Sequence, residues 1–419
     1  MKRLISMILL FALMLPLVGC GAKTQGTTIS GKDLLADIKP DNILHDVEYD
    51  PTPGFSGVPG FGVRLLQHSV QAGENTLISP LSVFYALSMT ANGAKGETLR
   101  QMESVLGMPV SALNPYLEGY SAQVAENQGS LKLANSIWFT DDKRFTVEKP
   151  FLQTVADYYE AGIYRVPFDD VTCRDINNWV KEKTDGMIPH ILDQIPEEAV
   201  MYLVNALAFE AKWPQPYEES QVLDGEFTKE NGEKLEVEML HGEESLYLEL
   251  GNATGFMKLY EGGDYAFVAL LPNDCTVEAL VNSLDGTQLV QLLENPTETT
   301  VLTAIPKFET GYSAEMSEIL ENMGMTNAFD GDLADFSGLG TSTAGNVFIG
   351  RVIHNTFLSL GEQGTKAGAA TVVEMRDECA VVYPKDTKTV FLDRPFVYMI
   401  VDTATWTPLF MGTMMDPAN

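Results

Sequence analysis

The spacing of apolar positions changes along this chain, and the period predicts the elements. Residues 75–89, NTLISPLSVFYALSM, start as a short apolar strand and continue as a helix. Ser79 is placed to cap that helix and Pro80 to occupy its first position. Asn92-Gly93-Ala94-Lys95-Gly96-Glu97-Thr98 ends it and opens the next. Leu133–Phe139 (LANSIWF) reads as a strand. The run from Ile176 through Trp179 and Val180 to Ile188 reads as an amphipathic helix stopped by Gly186. Met201–Trp213 is one long apolar run, and Ala266–Pro272 (AFVALLP) is a buried strand. Ile305-Pro306-Lys307-Phe308 leads into an amphipathic helix through Met323. Phe391–Pro417 forms a hairpin of two apolar strands.

One stretch, Leu360–Pro395, departs from these patterns. Gly364–Thr371 (GTKAGAAT) is built almost entirely of small residues. A strand sends alternate side chains to opposite faces. One face would carry Thr365, Ala367, Ala369, Thr371, Val373 and Met375, with no charge. The other would carry Lys366, Gly368, Ala370, Val372, Glu374 and Arg376, with every charge. Asp377 is the first charge to break the uncharged face. The segment is poor in strong strand formers and lies between polar stretches, so it is read as able to be either a loop or a strand.

Charge and leader narrow the setting. The 419 residues carry a formal net charge of −31. That argues against nucleic acid and anionic membrane surfaces as partners. Hydrophobic residues at 45% and charged residues at 20% describe a largely globular chain. Lys2, Arg3 and the apolar stretch Leu4–Leu17 read as a secretion signal, too short to span a membrane well. Leu17-Val18-Gly19-Cys20 looks like a bacterial lipobox, so residues 1–19 are expected to be a lipoprotein signal peptide. Cys20 is then expected to be the acylated N-terminus of a cell-surface, extracellular protein. Residues 20–60, rich in Gly, Pro, Thr and Asp, are expected to be a flexible tether. Cys173, Cys275 and Cys379 remain, an odd number, and no structural disulfide is expected. The five histidines are scattered, without metal spacing, and no cofactor is expected. A hydrolase is disfavoured because no Gly-x-Ser-x-Gly elbow occurs and no histidine has recognisable triad context.

The stretch from Glu362 resembles the reactive-centre loop of the serpins, inhibitors of serine proteases. The entry Asn75–Met89, the turn Asn92–Thr98, Asp335-Phe336-Ser337-Gly338-Leu339, the signature Asp393-Arg394-Pro395-Phe396 and the closing Pro408-Leu409-Phe410-Met411-Gly412 resemble serpin motifs in the same order. The resemblance implies one domain over residues 61–419. Its fold would be α+β, with three β-sheets, about eight or nine helices and an exposed, insertable reactive-centre loop. It also implies a suicide-substrate inhibitor: a serine or cysteine endopeptidase is acylated, and the loop then enters sheet A and traps the enzyme. The alternative is a non-inhibitory serpin acting as a binding protein, and the hinge discriminates between them. Glu362, Gly364, Thr365, Ala367, Gly368, Ala369, Ala370 and Thr371 match inhibitory members; Lys366 departs from the usual Glu, on the outward face by parity.

Other roles are implied residue by residue. Ser79, Ser82, Asn205 and His354 match the polar shutter beneath sheet A. Trp213 matches the breach where the loop first enters, and Lys307 is placed to pair with Glu362 there. Counting Glu362 as the seventeenth residue before cleavage gives Glu378-Cys379 as the scissile bond. Arg376, Asp377 and Ala380 stay open as alternatives, because the 33 residues from Glu362 to Pro395 are more than typical members have. A monomer without a glycosaminoglycan cofactor is expected, meeting membrane only through a lipid on Cys20.

Overall fold

The strands Tyr265–Pro272 and Phe396–Asp402 have every side chain buried, which requires cover on both faces. They lie side by side, Ala266 opposite Val401, at the heart of a nine-stranded sheet. The order across it is Lys388–Phe391, Thr297–Pro306, Lys234–Leu250, Ala253–Leu259, Tyr265–Pro272, Phe396–Asp402, Pro408–Met414 and Thr76–Ile78. Val222–Thr228 pairs with the long third strand, off this path. The computed structural model describes residues 29–41, 57–126, 130–159, 161–195, 201–343, 345–366 and 386–418. Among them are nine α-helices.

Helix Pro80–Ala91 is buried on all sides, as a helix between two layers must be. It packs on Pro408–Met414 and on Met201–Phe209 of a second layer. That second layer comes in two four-stranded halves. One runs Lys32–Asp33, Gly162–Val166, Leu131–Thr140, Met201–Phe209; the other runs Phe308–Glu315, Ile353–Gly361, Gly364–Lys366, Ala211–Lys212. Helix Asp170–Lys183 covers the first half, packing Ile176, Trp179 and Val180 with Trp138, Tyr202 and Val204.

The structure differs from the sequence expectations in three places. The run Met201–Trp213 is interrupted at Glu210, so its end, Ala211–Lys212, belongs to the other half-sheet. Residues 309–315, expected within the helix that follows Ile305–Phe308, continue a strand that starts at Phe308, alternates buried and exposed from Phe308 to Gly311 and pairs with Ile353–Leu360. The helix that follows is only Ser317–Asn322. Part of the expected tether is docked: Lys32–Asp33 adds an edge strand beside Gly162–Val166, and the Ser30 amide donates to Asp175 Oδ2 (2.7 Å). The first helix also begins inside that stretch, at Gly57.

Candidate functional site: a cleft with a strand seated at its mouth

Met201–Phe209 pairs along one edge with Leu131–Thr140, and Ile353–Gly361 pairs along one edge with Phe308–Glu315. Their other edges face the gap between the half-sheets. At one end that gap is filled. Gly364, Thr365 and Lys366 form a short strand, with Ser359, Leu360 and Gly361 on one side and Ala211 and Lys212 on the other. These three residues open the hinge predicted from sequence. Thr365 is 2% exposed, as the parity of the segment requires. Gly364 is needed here for two reasons. Its φ is +146°, and an added Cβ would lie 2.1 Å from the Ala211 carbonyl oxygen.

The seat is aromatic. The Thr365 and Tyr260 hydroxyls are hydrogen-bonded at 2.5 Å. Burial pushes the Tyr260 phenol far up, so it keeps its proton. The Trp213 ring stacks on Tyr260 with centroids 4.5 Å apart and 6° between planes. Its indole N–H donates to the Gly361 carbonyl (3.0 Å), and its amide donates to the Gln363 carbonyl (2.9 Å). The Tyr217 amide donates to the Glu362 carbonyl (2.9 Å). The turn that launches the hinge is therefore held at three successive carbonyls. Lys307 Nζ lies 2.7 Å from Glu362 Oε1 and 2.8 Å from Glu238 Oε2. Burial alone would raise the Glu362 carboxyl; bonds from Lys307 and its own backbone, with the nearby charge, hold it below its ordinary value. Desolvation opposes the charge on Lys307, but its two carboxylate partners raise it overall.

Further down the cleft lies a polar cluster. Ser79 caps helix Pro80–Ala91 by accepting from the Ser82 amide (3.3 Å). Its own amide donates to His354 Nε2 (3.0 Å). An accepting Nε2 means a neutral imidazole, and burial pushes His354 down to about 4. Thr356 Oγ1 donates to the Leu77 carbonyl (2.5 Å), so a second residue ties the same strand to the base of the helix. Asn205 stands on Met201–Phe209 in register with Asn135. His354 is seven strand positions below Gly361, about 23 Å at the usual rise.

This geometry has a known counterpart. The model of the family Serpin (serine protease inhibitor) matches residues 57–417. The chain belongs to the serpin family. An uncharacterized serpin-like protein of Thermococcus kodakarensis is 30% identical, the match covering 88% of this chain and 86% of that one. Among solved structures, the thermophilic serpin tengpin in its native state is 44% identical, with a TM-score of 0.85 over 92% of this chain and 99% of that one. Tengpin in its latent state gives 42% identity and a TM-score of 0.76 over 86% and 97%.

Of the residues assigned from sequence, the structure brings Ser79, Ser82 and His354 together in one cluster and Glu362, Gly364, Thr365, Trp213 and Lys307 in another. The remaining hinge residues, Ala367, Gly368, Ala369, Ala370 and Thr371, the whole window Met375–Ala380 with Glu378-Cys379, and Cys20 lie outside the described residues. Cys173 is buried and free, its Sγ donating to the Leu192 carbonyl (3.0 Å). Sequence reasoning missed Tyr260, Tyr217 and Glu238. Each is an ordinary residue within a strand or loop, and only tertiary packing brings it to the hinge.

Proposed function

We propose that this serpin is an inhibitor that traps serine endopeptidases, and cysteine ones as well, by loop insertion. The observation that carries the reading is the seating of Gly364–Lys366 at the mouth of a cleft whose edges, below that strand, pair with no other strand among the described residues. Antiparallel register already sets Lys366 opposite Ser359. Continued by two more steps at a time, it would bring Ala367 opposite Leu358, Ala369 opposite Thr356 and Thr371 opposite His354. Leu358, Thr356 and His354 are all buried on the inner face of their strand, and the incoming side chains are small enough to lie beside them. A bulky inward residue would cost about 1–3 kcal/mol of overpacking. The greater likeness to the native than to the latent tengpin structure supports an uninserted, poised state.

In this reading a protease attacks a bond between Met375 and Ala380, Glu378-Cys379 being favoured, and becomes an acyl-enzyme. Cleavage frees the hinge, which zips downward from Thr365 and gains ladder hydrogen bonds on both sides. The enzyme is carried along before it can deacylate. The test is incubation with a panel of serine and cysteine proteases, followed by denaturing gels and mass spectrometry of the released C-terminal peptide. A covalent complex is expected. Cleavage with full protease activity remaining, and no complex with any enzyme, would favour a binding protein instead. A new N-terminus beyond Val381 would overturn the assigned window.

We further propose anchoring at the cell surface through a lipid on Cys20, supported by Leu17-Val18-Gly19-Cys20 after an apolar leader. Cys20→Ser should abolish membrane partitioning. Unchanged partitioning would rule the anchor out.

A further inference from the structure

Beneath the aromatic seat lies a charge pair. Lys258 Nζ is 2.6 Å from Glu244 Oε1, and both side chains are 11% exposed. The two residues come from neighbouring strands of the nine-stranded sheet, Ala253–Leu259 and Lys234–Leu250. The Lys258 ammonium sits 4.9 Å from the centroid of the Trp213 ring and 4.8 Å from that of Tyr217. One cation thus faces both rings. Those are the residues whose amides hold the Gln363 and Glu362 carbonyls. Among the described residues the Tyr217 hydroxyl has no hydrogen-bond partner, so no polar bond of its own orients that ring.

We propose that Lys258, held by Glu244, is the positioning residue of the hinge seat, and that it sets how fast insertion begins. The proposal rests on the inhibitory reading and deepens it. A buried ion pair is a poor source of stability, since replacing both partners with apolar residues is often neutral or stabilising. What this pair supplies is geometry. The ammonium attracts the faces of two aromatic rings, and Glu244 fixes where the ammonium stands. Burial raises the Glu244 carboxyl, and the adjacent Lys258 pulls it back towards the ionised form that the lysine requires. With the cation in place, Trp213 and Tyr217 present their amides to the launching turn, and Trp213 backs the Tyr260 ring that binds Thr365. Without it both rings are free to shift, and residues 364–366 leave the cleft more often. Insertion would then start later, while the distant scissile bond would be attacked at an unchanged rate.

The test is the double variant Lys258→Met/Glu244→Leu, which removes both charges and keeps apolar volume. Glu244→Gln alone serves as a second variant should the double one fail to fold. Three quantities are read: the thermal midpoint, the number of inhibitors consumed per protease inactivated, and amide hydrogen exchange across residues 361–366. The double variant should melt at or above the wild-type temperature, exchange residues 364–366 faster, and raise the excess of the inhibitor-to-protease ratio over one between about twofold and thirtyfold, the range a single cation–π contact commands. A merely structural pair would move the midpoint and leave the other two unchanged at temperatures well below melting. A variant with wild-type exchange and a wild-type ratio overturns the proposal. If the wild type itself traps no protease, the inhibitory reading fails separately. Exchange at residues 364–366 then decides the seat: faster exchange in the variant supports it, and unchanged protection overturns it.

Discussion

Replacing Thr365 by arginine should convert the protein from an inhibitor into a substrate. Thr365 is the first inward residue of the hinge, 2% exposed, with its hydroxyl on Tyr260. The variant strands a buried tyrosine hydroxyl, at about 1–3 kcal/mol. It must also bury a guanidinium where no carboxylate is provided; breaking buried pairs shows that an uncompensated charge costs about 3–5 kcal/mol. The two together come to about 4–8 kcal/mol against the seated hinge. If only about 2.5 kcal/mol of this appeared in the barrier to insertion, the step would slow by roughly seventyfold. Attack on the loop would be unaffected, because the scissile bond is at least ten residues away. Deacylation would win the race, and cleaved inhibitor would accumulate beside active enzyme. The assay is titration of a fixed amount of protease, read as residual activity and as complex on a denaturing gel. Gln363→Arg is the control, since Gln363 is exposed and meets Trp213 through its carbonyl alone. An unchanged ratio in Thr365→Arg, or equal impairment in both variants, would refute the reasoning.

Three further outcomes follow from the same geometry. Because burial depresses His354 to about 4, the unfolded chain binds its proton more readily between that value and the ordinary 6.5 or so. The neutral ring's contribution is therefore complete above about pH 6.5 and is lost as pH falls towards 4. Denaturant melts at pH 7 and pH 4.5 should differ by about 2–3 kcal/mol from this residue, and the same pair of melts on His354→Asn should show that much less difference. Gly364→Ala, with its Cβ driven onto the Ala211 carbonyl, should unseat the hinge and speed amide exchange at residues 364–366; retained protection there would show that the close approach is not limiting. Lys307→Ala should cost under about 1 kcal/mol in chemical denaturation, since Lys307 and Glu362 are both partly exposed to water; a loss above about 2 kcal/mol would assign the pair a larger share in closing the sheet.

The sequence made the fold and part of the site legible for physical reasons. Alternation placed Thr365 inward, because strand parity depends only on counting. The Ser79 cap with Pro80 behind it was legible because helix starts are local. The strand Phe308–Glu315 was not, since its polar residues Glu309, Ser313 and Glu315 do not distinguish a half-exposed strand from a helix without the partner strand beside it. Nor was the docking of Lys32–Asp33, which is made by backbone pairing and by Asp175, 145 positions away from Ser30. Tyr260 and Lys258 were invisible for a similar reason: side chains on the nine-stranded sheet reach the hinge only when two layers stack.

The layout of the half-sheets also decides where the protein can accept foreign strands. A bare strand edge is a template for any extended chain. The outer margin of one half is occupied by Lys32–Asp33, two exposed charged residues on a strand too short to recruit much. The outer margin of the other half is Phe308–Glu315, which carries Glu309 and Glu315 and follows directly on Pro306-Lys307. Both margins are poor docking sites for a hydrophobic peptide. Among the described edges of these two half-sheets, stickiness is thus concentrated at the interior seam, where an intruder must compete with the chain's own hinge, tethered in place and already three residues into the groove. Self-association of this molecule should accordingly track the opening of that seam rather than the protein's total exposed strand, so that a short peptide copying residues 365–372 would suppress both aggregation and inhibition at once.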